Sequence, residues 1–225
     1  MKTPAPPAVQ RLTWLRWGCT TALGLSLWCS GAALAFDLQG HRGARGLAPE
    51  NTLAGFERAL AIGVTTIELD VVLSAEGVPV VSHRQVRRPR YRRHPTRAAD
   101  RRRLPARGEP FVRRPLSDIL ALDVGRIHPA SRYARTFADQ APVDGERIPT
   151  LAAVFERVRR LGADHVRFNI ETKLNPTQPD ASPDPEAFAR AVIEVVRGHG
   201  LARRATIQSF DWRTLQAVQR LAPDI

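Results

Sequence analysis

Four side chains sit in pairs inside otherwise apolar runs: Glu68 and Asp70 in TTIELDVVL, Glu171 and Lys173 in HVRFNIETK. Alternate residues of a strand share a face, so each pair projects in one direction. His41 closes a third run, FDLQGH, with Arg42 directly after it, and His83 closes a fourth, VPVVSH. If these runs are strands of one barrel, all seven side chains converge on its C-terminal rim, where such folds carry their active sites. Three carboxylates gathered without a cation would repel and raise one another's pKa, and a hard divalent ion held by oxygen ligands removes that conflict. Mg2+ or Ca2+ is therefore the expected partner. Zn2+ suits a site without thiolates less well, although His41 and His83 keep it open. Two imidazoles that titrate near neutrality fit a general base and a general acid on opposite sides of a reacting centre. Arg42 and Lys173 add fixed positive charge for an anionic substrate, Arg in a form that grips phosphate oxygens in pairs. Each residue alone has a plainer reading, as a hydrogen-bonded histidine or a solvated acid, but independent surface residues have no reason to cluster at successive strand ends. Lys173 is the only lysine after Lys2.

The elements that would position these groups alternate. The strand candidates are 36–41, 65–73, 78–83, 165–173 and 205–210, with helical patterns in most of the gaps between them, the signature of βαβ units and a parallel sheet. One helix carries Leu53, Phe56 and Leu60 on one face and stops at Gly63. A second starts at Thr150 with Leu151, Val154, Phe155, Val158 and Leu161 at helical spacing. Asp184 caps a third, with Pro185 at its first position and Phe188, Val192 and Val195 lining its buried side. A fourth runs from near Asp211 to Leu221. The expected fold class is α/β, an incomplete TIM (β/α)8-type barrel: five strand candidates are present and a closed barrel needs eight. Some 65 residues separate the third candidate from the helix that starts at Thr150, far more than an ordinary connection.

HRGARGLAPENT, IELDV, VPVVSH, NIETK and QSFDW, in that order, resemble the motif series of the glycerophosphodiester phosphodiesterase family. The resemblance runs from about 39 to 215 and omits only the arginine-rich stretch. It implies a TIM barrel that uses a divalent metal to hydrolyse glycerophosphodiesters to glycerol 3-phosphate and an alcohol. Position by position, His41 and His83 match the family's acid/base histidines, Glu68, Asp70 and Glu171 its metal ligands, and Arg42 and Lys173 its phosphate-facing cations. The alternatives are a catalytically silent remnant that binds metal or phosphodiester, and a basic protein that binds anionic surfaces.

The N-terminus reads as a secretory signal peptide over residues 1–35: Lys2, Arg11 and Arg16 precede an apolar stretch ending in Ala33-Leu34-Ala35. Cleavage after Ala35 would remove both cysteines, Cys19 and Cys29, and leave a domain of residues 36–225 with neither thiol nor disulfide. A signal anchor, or a lipid-modified Cys29, fits less well, and the expected location is periplasmic or secreted, with no stable membrane insertion after cleavage. The formal net charge of +12 is a local event. An irregular insertion at about 84–114 holds thirteen arginines against Asp100 and Glu109, and the rest of the chain is close to neutral. With one aromatic over its arginine-dense part, Tyr91 in 84–107, and no recognisable nucleic-acid fold, this stretch does not mark a nucleic-acid partner; the partner expected is a small glycerophosphodiester. Arg84 also stands where the family pattern has Asp after the histidine, and a cation there would disfavour a metal and a protonated imidazole. The composition of 84–107 is that of a shifted reading frame in a GC-rich gene, a hypothesis that resequencing the DNA would reject by finding one unbroken, correct frame.

Overall fold

The structure, a computed structural model, describes residues 36–83, 109–129 and 131–225. Residues 1–35, where a signal peptide is expected, and residues 84–108, which hold most of the arginines of the insertion, lie outside the described residues. Among those described, four strands run parallel and pair in chain order: β1 (Gln39–His41), β2 (Thr66–Leu73), β4 (Arg167–Thr172) and β5 (Ala205–Gln208). The alternation expected from the sequence is present in each. Ile67, Leu69, Val71 and Leu73 of β2 and Phe168 and Ile170 of β4 enter one apolar core. The residues between them, Thr66, Glu68 and Asp70 on β2 and Asn169 and Glu171 on β4, take the opposite face. Because parallel partners lie level, His41, Glu68, Asn169 and Thr206 form one row across that face, and Asp70, Glu171 and Gln208 form the next.

Helices cover the apolar face. α1 (Leu53–Ile62) begins at Thr52, whose hydroxyl accepts the Gly55 N–H, and ends at Gly63, whose φ of 91° closes the last turn in the left-handed region. α4 (Leu151–Arg160) is capped by Thr150 and buries Leu151, Val154, Phe155 and Val158. Leu161, expected on the same stripe, follows the last turn and is 47% exposed. α5 (Pro185–Gly198) starts as expected, with Asp184 accepting two backbone N–H groups. Its stripe is Phe188, Val192 and Val196, all fully buried, whereas Val195 only flanks the core. α6 (Trp212–Leu221) packs on α5 through Ala217 and Val218.

Two expectations need correction. The run 78–83 is not a barrel strand: β3 (Pro79–Val81) pairs antiparallel with β2, Val81 opposite Val71 and Pro79 opposite Leu73. The link is a tight turn with Gly77 at φ 78°, so the chain folds straight back. β4 occupies one edge of β2 up to Val71, and β1 covers only Thr66 to Glu68, so β3 continues along the edge that β1 vacates. The insertion, placed at about 84–114, is also built into the fold at its C-terminal end. Phe111 lies in a 3-10 turn (Phe111–Arg113) and, with Val72, Val80, Ile119, Leu122, Val124 and Ile148, forms a second apolar cluster. Arg114 is 4% exposed. Two short helices follow, α2 (Leu116–Leu120) and α3 (Arg132–Thr136).

Candidate active site

The three acids meet. Glu68, Asp70 and Glu171 are all buried, and one carboxylate oxygen from each lies within 4.8 Å of the others. Adjacent rows of a paired sheet produce this: Asp70 and Glu171 are register partners on β2 and β4, and Glu68 is one row below on the same face. Three oxygens within 4.8 Å of one another surround a point about 2.8 Å or less from each, close to the roughly 2.3–2.6 Å of Ca2+–oxygen bonds, so small side-chain rotations would let them share one ion. Asp70 is fully buried, yet its Oδ1 has no hydrogen-bond partner among the described residues. Burial and the neighbouring Asp70 push the Glu68 carboxyl up to about 7. Asp70 Oδ1 stands 3.4 Å from Lys173 Nζ, and a cluster of acids that resists its own ionisation fits a hard cation.

The loop after β1 is fastened to these acids. Arg42 has a φ of 56°, unusual for a non-glycine residue, and its backbone N–H donates to Glu68 Oε2 at 2.7 Å. Gly43 follows at φ 77°, and a Cβ on it would stand 2.7 Å from the Gly55 backbone, so the loop lies directly on α1. The Arg42 guanidinium runs between two carboxylates, Nε 3.1 Å from Asp70 and Nη1 3.1 Å from Glu50. Burial opposes its charge, but Asp70 and Glu50 more than offset this and hold Arg42 above its ordinary value. Asn51, also at φ 56°, grips Asp70 twice: its Nδ2 donates to Oδ2 at 2.8 Å and its Oδ1 accepts the Asp70 N–H at 3.2 Å. From β4, Lys173 places Nζ 2.5 Å from Glu171 and 3.4 Å from Asp70. Gln208 of β5 donates to the other Glu171 oxygen at 3.2 Å.

His41 Nε2 lies 3.8 Å from Glu68 Oε2 at the solvent edge of the cluster. Partial burial, then Arg45 and Arg42, hold its pKa below the ordinary value. His83 reaches the cluster by the antiparallel return: Ser82 N–H donates to the Asp70 carbonyl at 2.8 Å, and His83 is next. Burial drives its imidazole down to about 4; Asp70 pulls the other way, against Arg42 and Lys173. All seven residues singled out in the sequence thus come to one face. Glu50, Asn51 and Gln208 were not singled out, although all three stand inside the quoted motifs. A fourth, Tyr133, whose hydroxyl donates to Glu50, had no motif to reveal it.

This sheet, with helices on its apolar face and an acidic cluster at the strand ends, is the frame of a TIM-type α/β barrel with its site at the strand ends. The profile of the glycerophosphoryl diester phosphodiesterase family matches residues 41–225, and the chain belongs to that family. It is 33% identical over 189 residues to a glycerophosphodiester phosphodiesterase of Caldanaerobacter subterraneus, covering 82% of this chain and 62% of that one. A crystal structure assigned to a glycerophosphoryl diester phosphodiesterase from Silicibacter pomeroyi superposes with a TM-score of 0.72 and 35% identity, over 83% of this chain and 61% of that one. An Oleispira antarctica phosphodiesterase, solved with the product sn-glycerol-3-phosphate, is 27% identical with a TM-score of 0.56, over 84% and 63% of the two chains. The chain spans about three fifths of the length of the curated relatives it matches. Four of a barrel's eight parallel strands lie among the described residues, so the sheet is part of a TIM-type barrel.

Proposed function

We propose that this chain carries the site for metal-dependent hydrolysis of glycerophosphodiesters to sn-glycerol 3-phosphate and an alcohol. The observation that carries the reading is the triad of Glu68, Asp70 and Glu171 within 4.8 Å on paired strands, together with the family membership. These three carboxylates would hold Mg2+ or Ca2+, and a bound ion supplies Lewis-acid polarisation of the phosphodiester. Arg42 and Lys173, already anchored beside Asp70, contribute positive charge toward the phosphoryl oxygens and stabilise the added negative charge of the transition state. His41 and His83 divide the proton work. One accepts the proton of the attacking oxygen, from water or from the substrate's own glycerol hydroxyl, and the other returns a proton to the departing alkoxide. Burial lowers the pKa of both imidazoles, which suits the one that starts as the base; the one that acts as the acid must take up its proton before the alkoxide departs. The site faces a periplasmic or extracellular substrate if residues 1–35 act as an export signal.

The test is release of glycerol 3-phosphate from glycerophosphocholine by the full chain, with and without added Mg2+ or Ca2+. Metal-dependent release that disappears in Glu171→Gln supports the reading. Metal binding without turnover in the unaltered chain points instead to a silent remnant.

A further inference from the structure

Residues 133–141 lie against the loop that follows β1, and specific contacts hold them there. Tyr133 of α3 donates its hydroxyl hydrogen to Glu50 Oε2. The Arg45 guanidinium carbon sits 4.9 Å from the centre of the Phe137 ring, which itself packs edge-on against Tyr133 at 4.6 Å. Gln140 Nε2 donates to the Arg45 carbonyl at 2.6 Å, and Ala141 N–H to the Leu47 carbonyl at 3.0 Å.

One of these contacts leads into the active site. The same Glu50 oxygen that accepts from Tyr133 also faces Arg42 Nη1 at 3.1 Å, and Arg42 Nε faces Asp70. Glu50 and Arg42 are both buried, at 5% and 8% exposure, so neither end of this pair is steadied by bulk water. No strand ladder fixes them either, because both residues lie on the loop. A carboxylate on a loop can rotate between rotamers, and each would present a different oxygen to the guanidinium. A phenol bound to one of its oxygens selects among them.

We propose that Tyr133 is a positioning residue: it fixes Glu50 and, through Glu50, the orientation in which Arg42 meets a bound phosphate. The phosphate part of this statement rests on the phosphodiesterase reading above, and the orientation of Arg42 does not. A segment outside the barrel thereby sets the geometry of a cation inside it.

Tyr133→Phe removes the hydroxyl and keeps the ring against Phe137. The control is Arg135→Ala, an exposed residue on the same helix. Four properties are measured in full-length protein: the Arg42 Nε–H resonance, assigned by its loss in Arg42→Lys; the affinity for sn-glycerol 3-phosphate with Mg2+ or Ca2+ present; the thermal midpoint; and the KM and kcat of glycerophosphocholine hydrolysis. Tyr133→Phe is expected to shift or broaden the Arg42 resonance and weaken glycerol 3-phosphate binding about tenfold, the scale of one charge-assisted hydrogen bond. The midpoint should fall modestly, as expected for one lost hydrogen bond to a buried carboxylate, and KM should rise more than kcat falls. Arg135→Ala should leave all of these unchanged. An unaltered Arg42 resonance and affinity in Tyr133→Phe overturn the proposal, as does an equal loss in Arg135→Ala. If the unaltered protein neither binds nor releases glycerol 3-phosphate, the phosphodiesterase reading fails, and the Arg42 resonance alone decides whether Tyr133 holds the guanidinium.

Discussion

Strands β2 and β4 and the loop between β1 and α1 contribute to the same site by opposite means. The carboxylates stand on two strands joined through six register pairs, from Thr66 with Arg167 to Val71 with Thr172, so Asp70 and Glu171 are level because the backbone ladder makes them so. The loop has no ladder and places two non-glycine residues, Arg42 and Asn51, at φ 56°. Backbone strain of that kind costs on the order of 1 kcal/mol per residue and persists only where the surroundings impose it. Here the surroundings are the acids themselves: Glu68 receives the Arg42 N–H, and Asp70 receives the Arg42 guanidinium and the Asn51 amide. The loop therefore depends on the acids for its shape, while the acids do not depend on the loop for theirs.

That asymmetry can be broken from the strand side first. Asp70→Ala leaves Arg42, Asn51 and Lys173 without a shared buried partner, and is expected to cost about 3–5 kcal/mol in denaturant unfolding of the metal-free protein. The same change should abolish metal binding by calorimetry and, with it, release of glycerol 3-phosphate. His83→Ala should lower kcat by about 10²–10⁴-fold while leaving the unfolding midpoint in place, because its Nδ1 makes no hydrogen bond among the described residues. A contrast in pH follows from Glu68. Its carboxyl ionises near 7 in the folded, metal-free chain, against an ordinary 4.5. The folded state then holds this proton more tightly than the unfolded state does. Its stabilising contribution is full below about 4.5 and is lost as pH rises through about 7. Thermal melts from pH 4 to 8 should show that decline without metal, and added Ca2+ or Mg2+ should reverse it at neutral pH. From the loop side the effects are smaller. Gly43→Ala forces a Cβ toward the Gly55 backbone at a positive φ and should cost more than about 1 kcal/mol. Thr52→Ala, which removes the α1 cap, should cost about 1 kcal/mol in the same unfolding measurement. A Gly43→Ala loss as large as that of Asp70→Ala would show that the loop supports the acids after all.

The strand side was also the more legible in sequence. Period-two alternation in TTIELDVVL and HVRFNIETK exposes the shared face of Glu68, Asp70 and Glu171 directly, since pairing two such strands in parallel leaves little freedom. The helices declared themselves by Thr150, Asp184 and Gly63 at their ends. The antiparallel course of β3 was hidden because VPVVSH is an apolar run that looks the same in either direction. Its one clue is the short SAEG link before it, too short to carry a parallel crossover. Glu50 and Asn51 were visible as residues of PENT, but their roles depend on a left-handed backbone that no periodicity encodes. Tyr133 stands on a five-residue helix with no buried stripe, so only the folded contact with Glu50 marks it.

The hairpin of β2 and β3 has a further consequence for how this fold can change over time. Val81 N–H donates to the Pro149 carbonyl at 2.8 Å, and Val80 bridges Thr150, so the stretch from 82 to 149 departs and rejoins at nearly one point. A stretch with its two ends stapled together can lengthen, shorten or be exchanged as a cassette without shifting the register of the parallel strands. Grafting and recombination at this junction can retune what surrounds the acids while the ladder that aligns them passes unchanged to descendants.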